Sequence, residues 1–175
     1  MGTITITAGT KKNYWYTNVE SFCSGAWGAG NNAGYYMQGY VMLEGVLIPK
    51  NAVITSAILT CYCATGLGYT TATLIYGNDI DNSVRPTTTA EGIALTRTTA
   101  STDPDNVTYN TTKDLNVKSI VEEITSRAGW ARGNNMGFIN QDVGSAENNY
   151  YLHSTTTLTV VGPSIGVLGH NIMIF

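Results

Sequence analysis

The residue types that most often carry chemistry are sparse in this chain and do not converge. Its two histidines, His153 and His170, lie far apart, and neither has a His, Cys or carboxylate neighbour at metal-ligand spacing. A lone histidine in a strand is more often packed than catalytic. Asn78, Asp79, Asp81 and Ser83 gather hard oxygens of the kind calcium takes, but Val84 stands where an EF-hand loop beginning at Asp79 requires glycine. Turn-forming Asx side chains explain this cluster, and equally Asp103-Pro104-Asp105-Asn106. Glu122 and Glu123 are adjacent on a predicted helix, where side chains diverge, so they read as solvated charges rather than a glycosidase pair. No Gly-x-Ser-x-Gly elbow or P-loop is present, and Gly25-x-x-Gly28-x-Gly30 has the wrong spacing for a dinucleotide fingerprint. The expectation is a chain with no catalytic residue, no metal site and no cofactor, and hence not an enzyme.

The three cysteines do not form an even framework for disulfides. Cys61 and Cys63 fall on one face of a predicted strand, with Cα atoms about 6.5 to 7 Å apart, at the limit of what a disulfide spans. They read as small buried hydrophobes. Aromatic clusters remain as candidate binding residues: Tyr14, Trp15, Tyr16, Trp27, Tyr35 and Tyr36, with Tyr150-Tyr151 beyond them. Such rings, with Asn donors nearby, could stack on sugars or anchor a protein partner; alternatively, every second one fills the core.

The elements that must position these residues are strands. At 175 residues the chain suits one domain with one core. Only 12% of residues are charged, and Thr, Asn, Ser and Gly carry the surface. The net charge of -3 argues against a nucleic-acid partner. No apolar run is long enough to span a membrane, and the start of the chain does not resemble a signal peptide. Thr3 to Ala8 alternates Thr with Ile, the period of a strand with one buried face. Residues 25–34, rich in Gly and Asn, read as a long loop. Tyr35 to Leu47 is a strand that ends at the turn around Pro49. In Ala52 to Cys63, the residues Ala57, Leu59, Cys61 and Cys63 share a face, with Ile54 out of phase as though a bulge lay near Thr55-Ser56. Thr71 to Tyr76 is a further strand, and Ser83 to Asn110 is mostly loop. Val117, Ile120, Val121 and Ile124 recur at helical spacing, with Asp114 or Asn116 as cap, giving one short helix over about 117–127. Trp130 is placed to plug the core beneath it. Met136 to Gln141, Tyr150 to Ser154 and Thr157 to Val161 are closing strands, the first two joined by a hairpin loop. Residues 163–175 form an apolar C-terminal strand or arm, with Ile165, Val167, Leu168, Ile172, Ile174 and Phe175 as candidate interface residues.

The run Ile48-Pro49-Lys50-Asn51-Ala52-Val53-Ile54-Thr55-Ser56-Ala57-Ile58-Leu59 is close to the phrase IP-x-x-A-x-I-x-x-A-x-L. Further matches follow in order at Ile75 to Asn82, Arg97 to Ser101 and Arg127 to Asn134. In these phrases the chain resembles the DNRLRE-type (disaggregatase-related) β-sandwich module of phage structural and bacterial surface proteins. The resemblance implies an all-β fold, a single jelly-roll-like antiparallel β-sandwich over residues 1–162, used for adhesion, carbohydrate binding or structure. It carries over no catalytic residues. Members often sit within longer chains, and a copy standing alone after an initiator Met fits a virion component made in the host cytoplasm. The expected function is therefore a virion structural protein of a tailed phage, such as a capsid decoration. It would act as a homo-oligomer, by analogy a trimer, with other virion proteins such as the capsid as partners. The alternative is a carbohydrate-binding or host-adhesion module contacting host glycans, whose binding should disappear when Trp15 or Trp27 becomes Ala.

Overall fold

The computed structural model describes residues 1–67, 73–102, 110–163 and 165. Strands make up 52% and helices 9% of the described residues, and the pairing is antiparallel, in an all-β, sandwich-like fold. The strands are β1 (Gly2–Thr7), β2 (Lys12–Tyr16), β3 (Ser21–Ser24), β4 (Trp27–Asn32), β5 (Tyr35–Leu43), β6 (Ser56–Leu67), β7 (Thr73–Asn78), β8 (Arg97–Thr102), β9 (Thr112–Asn116), β10 (Met136–Asp142) and β11 (Asn149–Gly162). They form one curled sheet in the order β8-β7-β10-β5-β4-β11-β6-β9, with β1 beside β11, β2 beside β5, and β3 beside β2. Among the described residues no helix is long and apolar enough to cross a membrane.

The main core forms where the two halves of this sheet face each other. Val41 and Leu43 of β5, Phe138 of β10 and Ile75 of β7 meet Leu59 of β6 and Leu158 and Val160 of β11. The face predicted for β6 is the buried one, since Ala57, Leu59, Cys61 and Cys63 are all fully inaccessible. Opposite them stand Val160, Leu158, Thr156 and His153 of β11. The buried positions of β11 change phase between His153 and Thr156, and register shifts flank His153. A bulge there lets both halves face the core, so the two closing strands expected near residues 150 and 160 are one continuous strand. Ile54 is buried ahead of β6 and belongs to no bulge within it. β10 and β11 do not pair with each other; residues 143–148 cross between the two halves instead of closing a hairpin.

Residues 25–34 are not the loop that their composition suggests. Trp27 to Asn32 is a strand, with Trp27 to Asn31 buried, pairing with β11 along one edge and β5 along the other. It turns the sheet through its corner. The glycines make that turn possible by removing side chains where backbones touch. A Cβ at Gly39 of β5 would lie 2.3 Å from the Gly28 nitrogen, and one at Gly28 would lie 1.9 Å from the Tyr151 oxygen. β4 returns to β5 through Ala33 and Gly34, both at positive φ, as in a two-residue type I′ turn.

Two helices cover the sheet where one was expected. The second in sequence, α2 (Lys118–Ser126), buries Ile120, Val121 and Ile124, with Val117 buried at its N-cap and the Asn116 Oδ1 accepting from the Lys118 amide at 3.2 Å. Trp130 follows, buried, and its Nε1 donates to the Ile48 carbonyl at 3.0 Å. Glu123 is not simply solvated: its carboxylate accepts from the Thr99 and Ala100 amides at 2.7 and 2.8 Å, covering part of β8. The other helix, α1 (Thr89–Ile93), arises from Thr88-Thr89-Ala90-Glu91. Thr88 accepts from the Glu91 amide at 3.2 Å, and Glu91 accepts from the Thr87 amide at 2.7 Å, an arrangement close to a capping box. A smaller apolar cluster under α1 and β3 joins Trp15, Tyr40, Met42 and Ile139 to Phe22, Tyr76 and Leu95.

Ile165 is fully buried in the main core. It is a core residue of its own subunit rather than an interface residue, so the sandwich reaches past residue 162. Val167, Leu168, Ile172, Ile174 and Phe175 lie outside the described residues.

Because the corner tolerates no side chain, Gly39→Ala is expected to destabilise the fold by about 2 to 3 kcal/mol or more. Gly9→Ala, where nothing lies within 4 Å of an added Cβ, should change little. Urea denaturation of the two variants checks the contrast.

Candidate functional site

The aromatic residues of β2, β4 and β5 divide into two classes. Trp15 and Trp27 are fully buried, which corrects their reading as contact residues. The Trp15 ring lies parallel to Phe22 at 6.4 Å, and Gly92 of α1 sits so close above it that a Cβ there would lie 2.6 Å from the Trp15 Cε2. Trp27 donates through Nε1 to the Thr156 hydroxyl at 2.7 Å and lies 5.3 Å from the His153 ring. Tyr151 is also buried, its hydroxyl within hydrogen-bond reach of Thr73 at 2.9 Å and Asn140 at 2.8 Å.

The other rings reach the surface, as alternation along a strand requires. Tyr14 and Tyr16, flanking Trp15, are partly exposed and contact each other edge to face at 6.1 Å. Cys23, across the strand pair, and partial burial raise the Tyr14 phenol above its ordinary range. Tyr16 meets Tyr35 at 5.8 Å with the rings inclined by 63°. Tyr35 and Tyr36 are 46% and 45% exposed. The structure thus brings Tyr14, Tyr16 and Tyr35 into one array and leaves Tyr36 accessible beside it.

Four separate shallow depressions lie around the β2–β3 hairpin, the β4–β5 turn and α1. A depression of about 450 Å³ between Tyr16, Val19, Glu20, Ser21, Asn32 and Tyr35 shares Val19 and Glu20 with the next, which runs between Thr17-Asn18 and α1. That one shares Glu20, Thr89 and Ala90 with a third below Phe22. The third shares Thr87 with a fourth, of about 450 Å³, under Ile80, Val84 and Arg85. The middle two lie between the β2–β3 hairpin and α1, whereas no residue from Val84 to Thr96 lines the depression at Tyr16 and Tyr35, and no hairpin residue lines the one at Ile80 and Val84. Ile80, Val84, Ile93, Val19 and Tyr35 stand exposed in these depressions.

Local hydrogen bonds hold the hairpin, the β4–β5 turn and α1 together. Asn18 donates to the Gly34 carbonyl at 2.8 Å and accepts from the Tyr36 amide at 3.2 Å, tying the hairpin tip to the β4–β5 turn. Thr89 donates to the Ser21 carbonyl at 3.2 Å, tying α1 to β3. Bonds from the Thr87 amide and hydroxyl hold the Glu91 carboxyl below its ordinary range. The side chains of Glu20, Asn32, Tyr16 and Tyr35 make no hydrogen bond with other described residues, so their polar groups are free for an incoming partner.

Valine and glutamate at 19 and 20 gave no sequence signal, because a hairpin tip is read as polar surface. The capping pattern at Thr88 to Glu91 was a signal that could have located α1.

Other titratable groups are committed elsewhere. Asp79 and Asp81 accept from Arg127, the latter at 2.9 Å. Cys23, Cys61 and Cys63 form no disulfide, and burial pushes Cys61 up to about 12. Among the described residues, no three His, Cys, Asp or Glu side chains gather where they could hold a metal ion. Asp103, Asp105 and His170 lie outside the described residues. No family model matches this chain, and no curated protein matches it in sequence.

His153 is wholly buried between Trp27 and Tyr151, and neither ring nitrogen has a hydrogen-bond partner among the described residues. Burial pushes its pKa from 6.5 down to about 3; the Tyr62 backbone acts weakly in the other direction without reaching hydrogen-bonding geometry. Between these values the unfolded chain binds a proton that the folded chain refuses, so this contribution to stability is complete above pH 6.5 and is lost as pH falls toward 3. His153→Phe should flatten the decline between pH 6.5 and 4.5, where the native chain loses on the order of 2 kcal/mol through this group. Chemical denaturation across that interval checks it.

Proposed function

We propose that this chain is a non-enzymatic structural component of a tailed-phage virion, a capsid decoration or other surface protein. It acts through contacts with copies of itself and with other virion proteins such as the capsid. The observation that carries a contact role is the set of exposed apolar side chains, Ile80, Val84, Ile93, Val19 and Tyr35, that line shallow depressions rimmed by polar residues. Apolar surface of this kind marks interaction sites more often than solvent-facing surface. The depressions are shallow and open, which suits the relief of another protein better than enclosure of a small substrate. The virion context rests on the resemblance to DNRLRE-type modules and on the low-charge Thr and Asn surface. The apolar sequence of residues 166–175 supports self-association, with a trimer as the assembly by analogy.

A second reading, a carbohydrate-binding or host-adhesion module, is favoured by one observation: the exposed, inclined Tyr16–Tyr35 pair with unoccupied polar groups around it.

The burial of Ile165 sets the boundary for a clean assembly test. Deleting residues 166–175 and keeping Ile165 should leave the thermal midpoint within a few degrees of the native value. It should also abolish incorporation into particles, as read by mass spectrometry of purified virions. Unchanged incorporation contradicts a role for the terminal segment, and absence of the full chain from particles contradicts the virion reading.

A further inference from the structure

We propose that the depression between Tyr16 and Tyr35 is a subsite for a neutral pyranose ring, with the tyrosines as the stacking walls and Glu20 and Asn32 as the hydroxyl-binding groups. This deepens the adhesion reading and does not depend on whether the chain belongs to a virion.

Three features of the site converge on a sugar. The rings of Tyr16 and Tyr35, 5.8 Å apart and inclined by 63°, present an angled aromatic corner, and Tyr35 is 46% exposed. A sugar offers C–H faces to such rings and hydroxyls around its edge, so its partner must combine aromatic walls with a few fixed polar groups. Glu20 and Asn32 line the same depression, and neither side chain is engaged by another described residue. A carboxylate accepts from two adjacent hydroxyls at once, and a carboxamide both donates and accepts. The depression, at about 450 Å³, lies within the range of small-molecule sites.

The same groups select among sugars. Glu20 forms no ion pair among the described residues, and no Lys or Arg lines the depression. Its charge therefore opposes a sialic or uronic acid, and the ring accommodated is neutral. The walls are set before binding. Tyr35 opens β5 directly after the β4–β5 turn, whose Gly34 carbonyl and Tyr36 amide are both held by Asn18. A preformed corner loses little conformational entropy on binding.

The test is a protein-observed NMR titration of the full chain. The probes are the methyl glycosides of glucose, galactose, mannose and N-acetylglucosamine, with the methyl glycoside of sialic acid as the acidic comparator. At least one neutral glycoside should shift the resonances of Tyr16, Glu20, Asn32 and Tyr35. Tyr35→Ala should weaken that binding by about tenfold or more, and Glu20→Gln by a smaller factor. Tyr35→Phe, which keeps the stacking surface, should retain most of it and guards against a folding defect in Tyr35→Ala. The proposal is overturned if none of the neutral probes shifts these residues, if binding is unchanged in Tyr35→Ala, or if the sialoside binds as well as the neutral glycosides. None of these outcomes bears on incorporation into particles, so failure of the subsite and failure of the virion reading remain distinguishable.

Discussion

The contact on which the rest of the molecule depends is the near-touching of three backbones at Gly39, Gly28 and Tyr151. β4 is hydrogen-bonded to β5 on one side and β11 on the other, so it alone carries the sheet from one half to the other on this side of the sandwich. A side chain at either glycine would drive backbone from backbone by an ångström or more. Closure of this corner puts Trp27 inside, brings His153 against it, and lets Tyr151 reach across to Thr73 and Asn140. The burial of these polar groups thus follows from a tight turn of the sheet.

The same geometry separates structural aromatics from accessible ones. β2 pairs with β5 so that Trp15 packs with Tyr40 and Met42 while Tyr14 and Tyr16 emerge on the other side. The β4–β5 turn then places Tyr35 beside Tyr16. Indole rings lie within the apolar layers together with Tyr40 and Tyr151, and the phenol rings of Tyr35 and Tyr36 reach the surface. The hairpin and α1 pack together over the cluster around Trp15, while Tyr16 and Tyr35 line a separate depression on the other side.

How much of this was legible in sequence varies with the range of the interaction responsible. Period-two alternation in β1, the shared face of Ala57, Leu59, Cys61 and Cys63, and the helical spacing from Val117 to Ile124 depend on local geometry, and the all-β architecture follows from them. The strand at Trp27 to Asn32 was read as a loop because glycine normally weakens a strand. Its glycines are explained only by partners far away in sequence, Gly39 and Tyr151. The burial of Trp15 was hidden for a similar reason: alternation says that Trp15 and its neighbours face opposite ways, but only the arrival of α1 decides which way is covered. The α1 helix itself was written locally, in Thr88 to Glu91, within a stretch dominated by threonines that suggested extended chain. Glu123 shows the limit of reading charges in isolation, since its partners are the amides of β8 more than twenty residues earlier in the chain.

The division of the aromatic residues can be measured directly by tryptophan fluorescence, because Trp15, Trp27 and Trp130 are all buried and together they account for every tryptophan in the chain. The account predicts a blue-shifted emission that acrylamide quenches weakly in the folded protein. Hydroxyl-radical footprinting of the same sample should label Tyr35 and Tyr36 readily. Emission at the wavelength of solvated indole, with efficient quenching, would contradict it, since at least one tryptophan would then lie at the surface.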